Sequence, residues 1–467
     1  MAQDGLDPPP PPPETTVTRP VGGTEFSWCK AIPSGTGITV LSLLLSKPPQ
    51  IPLLQNALHK LQNSHPILRS KIHLDTSTNT FHFVTPSTPR VQIQPFDHQS
   101  TAEILRRKSD GHDPFHALLE HEMNDDTWRD PSAGDTDVMY ATSYAISSNR
   151  FAVFLRLHTS ACDRAAAVAV LKELLRLVGG GGDGGGEMRE EEGVNLPIED
   201  LIPEGKRNKP FWARGIDMLG YSLNALRFAN LSFVDADSAR CSRMVRMQLN
   251  AEETKSLLAG CKSRGIKLCA ALAAAGMIAA WTSKDLPEYQ REKYAVVTLI
   301  DCRSILDPVL RSNQSGFYHS AILNTHDVCG EPLWDLAKRS YTAYVDAMNS
   351  NKHFSDMNDL NFLMCKAIEN PGLTPSSSLR TALISVFEDA VIDDSSKVHE
   401  ELGLEDYVGC ASTHGVGPSV AIFDTVRNGK LDCACIYPSP LHSREQIQGL
   451  VDDMKRILVE GCNSENQ

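Results

Sequence analysis

The sequence predicts an α/β protein with mixed sheets, built as two domains. Three observations carry that expectation. Strand-like and helix-like segments recur in both halves of the chain, joined by long connections. The 467 residues exceed what one ordinary hydrophobic core organises. Between the halves, Gly179–Gly193 (GGGGDGGGEMREEEG) is a glycine-rich, acidic stretch that holds no fold of its own and reads as a linker. The hydrophobic fraction of 41% is enough to bury sizeable cores.

The elements follow in chain order. Residues 1–19 read as a disordered tail, with Pro8–Pro13 in extended polyproline form. Residues 20–178 form the first lobe. In it, Gly35–Leu45 is an apolar strand after a glycine-rich entry. Pro52–Gln62 places Leu53, Leu54, Ala57, Leu58 and Leu61 at helical spacing, with proline tolerated in the first turn. Phe81–Val84 and Val91–Ile93 read as short strands. Met139–Ile146 and Phe151–Leu157 pair around the turn Ser147–Arg150. Asp163–Val178 is an amphipathic helix capped by Asp163.

Residues 179–208 are assigned to the linker and 209–467 to the second lobe, which begins near Lys209. Met244–Leu249 alternates like a strand, and Ala251–Arg264 is a helix ending at Gly265. Leu268–Trp281 is rich in small residues and apolar all round, so it reads as a buried helix. Tyr294–Ile300 and Leu383–Phe387 read as central strands. Ala421–Thr425 and Asp432–Tyr437 form a hairpin around Arg427–Gly429, and Ser443–Leu458 closes the chain as an amphipathic helix.

Charge and composition exclude several functions. The net charge of −13 repels phosphate backbones, which argues against nucleic acid and against a polybasic membrane anchor. The 12 cysteines include no C-x-x-C pair, which suggests a reducing compartment and neither a disulfide framework nor a structural zinc. The N-terminal residues lack the basic start and apolar core of a secretory signal, and the run Ile38–Leu45 is too short to span a bilayer. A cytoplasmic protein without a membrane span is expected. Nothing in the pattern specifies an oligomeric state.

Four stretches, in order, carry a resemblance. Leu54–Arg69 ends in His65, Pro66, Leu68 and Arg69, an H-P-x-L-R-like signature. Leu157–Leu175 (LHTSACDRAAAVAVLKELL) resembles an active-site element. Leu249–Trp281 resembles a helix, glycine turn and buried alanine-rich helix. Ile300–Tyr318 resembles a D-x-R…P…G-x-Y element. Together, over roughly residues 20–460, they resemble the chloramphenicol-acetyltransferase-like superfamily, which includes condensation domains, alcohol acetyltransferases and BAHD-type acyltransferases.

That resemblance implies two similar lobes with mixed sheets and a channel between them. An acyl thioester, carried on CoA or a carrier protein, would enter from one face and a small alcohol or amine acceptor from the other. It implies no metal and no bound cofactor. The expected function is therefore acyl transfer between small molecules. The alternative is a catalytically degenerate relative acting as a binding or scaffold protein.

The family's motif is H-H-x-x-x-D-G, with the second histidine as general base. Such a base must titrate near neutrality to remove the acceptor's proton. Here the stretch is His158-Thr159-Ser160-Ala161-Cys162-Asp163-Arg164. Aligned on Asp163, His158 takes the supporting position, Thr159 the catalytic one, and Arg164 replaces the glycine. With one extra loop residue, His158 itself becomes the base. Both registers stay open. Strand parity puts Phe154, Arg156 and His158 on one face and Leu155, Leu157 and Thr159 on the other.

The resemblance pairs Asp163 with Arg303, while the sequence alone reads Asp163 as a helix cap. His414, in the loop Ser412–His414, is a fallback base. Arg164 reads as a solvated helix start, or as a cation near an anionic acyl carrier. His112, His116, Glu120 and His121 have metal-binding spacing, but read more simply as a solvated helix face. A nucleophilic Cys162 is disfavoured by the adjacent acid. No G-x-S-x-G elbow and no P-loop is present.

Overall fold

The computed structural model describes residues 16–108, 113–179, 195–207, 228–287, 289–393 and 396–463. Pro8–Pro13, most of the glycine-rich stretch, the start of the second half near Lys209, and His112 lie outside the described residues.

Three sheets organise the chain. A five-stranded sheet runs in the order Leu404–Thr413, Thr36–Leu45, Arg150–His158, Met139–Ser147, Ile93–Phe96. All ten residues of Thr36–Leu45 are buried, which explains an apolar run without polar alternation. Period-two geometry sends its side chains to two different cores. Leu41, Leu43 and Leu45 pack with Leu155, Leu157 and the helices Ile51–Ser64 and Arg164–Val178. Ile38, Val40 and Leu44 pack with Phe154, Tyr144 and the helix Pro114–Met123.

A seven-stranded sheet has the order His319–Val328, Glu292–Asp301, Arg380–Phe387, Gly417–Arg427, Lys430–Ser439, Cys241–Gln248, with Val391–Asp393 also on Gly417–Arg427. Glu292–Asp301, Arg380–Phe387 and Gly417–Arg427 are mutually parallel and the outer pairs antiparallel, so the sheet is mixed. The helix Leu268–Thr282 is buried on every side against it, as its composition requires. A small four-stranded sheet joins Thr16–Pro20, Thr80–Pro86, Lys71–Asp75 and Thr136–Asp137. Among the described residues no single helix is long and apolar enough to cross a membrane.

Two local readings need correction. Ser412 and Thr413 are not loop residues: they end the strand Leu404–Thr413, which pairs antiparallel with Thr36–Leu45 of the first half. Ser412 Oγ accepts the Ile38 N–H at 2.9 Å and so closes that seam. One core accordingly mixes Phe154 and Leu118 with Met244, Ala434 and Ile436. The helix Pro114–Met123 is not a solvated polar face either. Glu120 is buried and ion-paired with Arg243 and Arg444, both at 2.7 Å. Glu122 is buried against Arg156 at 2.8 Å. Carboxylates enter the interior when cations accompany them.

Candidate functional site

The strand Arg150–His158 delivers the motif to a tight loop, and Asp163 starts the next helix by accepting the Ala166 N–H at 2.9 Å. Strand parity then decides where each motif side chain goes. His158 follows Phe154 and Arg156 to the face covered by Pro114–Met123. Its ring lies edge-on to Trp128 at 5.5 Å, and Nδ1 meets Ser160 Oγ at 2.6 Å. Burial pushes this imidazole down to about 3, so it is neutral at physiological pH. Thr159 is buried on the other face. Its hydroxyl donates to Gly37 O at 2.6 Å and lies 2.7 Å from Thr39 Oγ1.

Asp163 joins the two halves. Its carboxylate lies 3.0 Å from Arg303 Nη2, accepts the Tyr318 N–H at 2.7 Å, and lies 2.9 Å from His319 Nδ1. Burial alone would raise this carboxyl, but the Arg303 guanidinium and the His319 ring hold it well below the usual carboxylate range. Arg303 is buried too, bound also to Asp301 at 2.8 Å and to Gln314 O. Asp163 and Arg303 thus do meet, and the cap and the ion pair coexist.

Arg164 is not a solvated helix start. Its guanidinium sits 4.0 Å from the Phe387 ring centroid and 3.0 Å from Asp424 Oδ1 across the lobes. His414 is held elsewhere: Nδ1 lies 3.0 Å from Ser242 Oγ, and the ring covers Gly35 so closely that a Cβ there would stand 2.0 Å from it. Gly35 has φ +101, so glycine is required on both counts. Burial, and then the Arg380 cation, push His414 down to about 4. Burial first, then Asp163, push the Cys162 thiol up, which leaves it a poor nucleophile. His116 lies 3.4 Å from Arg246 Nη1, and no group of three metal-ligating side chains occurs among the described residues.

A cavity of about 800 Å³ lies between the motif helix and the seven-stranded sheet. Ala165, Val168 and Ala169 line one side, and Leu299, His319 and Phe387 the other. Neither His158, Thr159 nor His414 is on its wall. His319 is, and the sequence reading passed over it. It directly follows the Gly316–Tyr318 element, and that adjacency was the only signal. Its ring stands edge-on to Phe387 at 6.1 Å.

Residues 238–318 match the family model for the phthiocerol/phthiodiolone dimycocerosyl transferase C-terminus. No curated protein matches the sequence. Among solved structures, the chain is similar to the TRI3 trichothecene 15-O-acetyltransferase from Fusarium sporotrichioides. The identity is 13% and the TM-score 0.70, over 96% of this chain and 95% of that one. It is also similar to polyketide synthase associated protein 5 from Mycobacterium tuberculosis, at 16% identity and TM-score 0.65, over 97% and 100% of the two chains. The epimerization domain from the third module of tyrocidine synthetase B aligns at 13% identity and TM-score 0.58, over 97% and 98%. With the order of its sheets and helices, these likenesses show that the chain shares the two-lobed mixed α/β fold of these acyltransferase and condensation-type structures.

Proposed function

We propose that the protein binds an acyl thioester, on CoA or a carrier, in the cavity between the lobes, and that neither His158 nor Thr159 serves it as a base. The observation that carries this reading is the direction of the motif side chains. The Thr159 hydroxyl is spent on Gly37 O, and the His158 ring packs beneath Trp128, while an open cavity persists beside the motif helix. A threonine hydroxyl is no base at neutral pH, and an imidazole kept neutral but shut in the core meets no substrate. The cavity's size suits a small-molecule ligand. The similarity to an acetyltransferase supports an acyl group as its content. Twelve free cysteines support placement in the cytosol.

Ala169 faces the cavity from a half-buried helix position, so a tryptophan there fills the space without entering the core. Titration calorimetry with acetyl-CoA should give binding to the wild type and at least about tenfold weaker binding to Ala169→Trp, at an unchanged melting temperature. Equal affinities would place the ligand elsewhere, and no binding to either would end the thioester reading.

A further inference from the structure

We propose that His319, oriented by Asp163, is a catalytic base facing the cavity, in place of the histidine missing from the motif. The inference rests on the cavity being the thioester site. Four observations support it.

His319 opens the strand His319–Val328 and lines the cavity, although the residue as a whole is only 6% exposed. Its Nδ1 is 2.9 Å from Asp163 Oδ2, at ion-pair distance though off the line of a well-aligned hydrogen bond, and a carboxylate on that side favours the tautomer with its proton on Nδ1 and its lone pair on Nε2. Asp163 cannot swing away, because Arg303, the Tyr318 N–H and the Ala166 N–H hold the same carboxylate. The ring lines the cavity, and its one described polar contact, to Asp163, uses Nδ1 and leaves Nε2 free of it.

An imidazole so held would act in two steps. As the hydroxyl oxygen of an alcohol or water bonds to the thioester carbonyl carbon, Nε2 takes its proton and the carbonyl electron pair moves onto oxygen. The pair then returns, the C–S bond breaks, and the sulfur leaves with its electrons. The imidazolium gives the proton to that thiolate. The products are an ester, or an acid when water attacks, and a free thiol, and the imidazole is regenerated.

The test uses acetyl-CoA with water as acceptor, following released CoA by chromatography. Wild type should turn over, and His319→Gln should be slower by about 10²–10⁴-fold, with acetyl-CoA affinity within about threefold. Because His319 is buried against Asp163, the substitution could unfold the chain, so the wild type is also treated with diethyl pyrocarbonate. Acylation of His319, mapped by mass spectrometry, should proceed at the rate at which turnover is lost and be slowed by acetyl-CoA. Binding without turnover, undiminished turnover in His319→Gln, or inactivation while His319 is unmodified would each overturn the base and leave the binding site standing. Absence of acetyl-CoA binding would overturn both.

Discussion

Arg164 stands where the resembling motif has a glycine, and its side chain occupies space that a glycine would leave open. It stacks on Phe387 and pairs with Asp424, tying the motif helix to the seven-stranded sheet. Burial raises the Asp424 carboxyl, with Arg164 opposing, and Asp424 Oδ2 is buried without a hydrogen-bond partner. A carboxylate in that position depends on its cation. Arg164→Ala should therefore cost about 3–5 kcal/mol in urea unfolding, and the double variant Arg164→Ala/Asp424→Asn should recover a large part of it. A single variant within about 0.5 kcal/mol of wild type would show that the pair does not hold the lobes. The residue type at 164 was plain in the sequence. Its partner was not, because Asp424 lies 260 residues away and only the folded sheet brings it near.

At the scale of elements, the segments whose chemistry is local were legible. The alanine-rich helix Leu268–Thr282 and the pair Met139–Ser147 with Arg150–His158 announce themselves by composition and by period. Leu404–Thr413 did not. Its sequence, LEDYVGCAST, is mixed in polarity, and it pairs with a strand from the other half of the chain. The first strand residue His319 escaped for a related reason, since Asp163 and the cavity give it meaning and neither is near it in sequence. Parity, by contrast, was readable: the alternation that put His158 and Thr159 on opposite faces is the one observed. Knowing that neither side chain reaches the cavity needed the fold: Trp128 stands against the His158 ring and Gly37 O takes the Thr159 hydroxyl, and both contacts are tertiary.

For the whole molecule, buried imidazoles set the response to acid. Burial is the leading cause in each case: it pushes His158 down to about 3, and His326, His353, His414 and His442 to about 4, against an ordinary value of 6.5. The folded chain refuses protons that the unfolded chain accepts between those values, so the stability is full above about pH 6.5 and is lost as pH falls toward 4. Each such proton is worth about 1.4 kcal/mol per pH unit in that window. The depressed Asp163 carboxyl acts lower, its contribution fading only below about pH 4. The melting temperature should drop by several degrees between pH 7 and pH 5, before most carboxylates titrate. A flat profile over that range would mean that these imidazoles are protonated in the fold or already reach water.

Which histidine senses the ligand is the question on which the account turns, and long-range ¹⁵N–¹H spectra of the histidine rings answer it most directly. With resonances assigned by single His→Gln variants, His319 should show its proton on Nδ1, and its Nε2 signal should move on addition of acetyl-CoA while that of His158 stays in place. A shift at His158 with none at His319 would contradict it, returning the site to the motif loop.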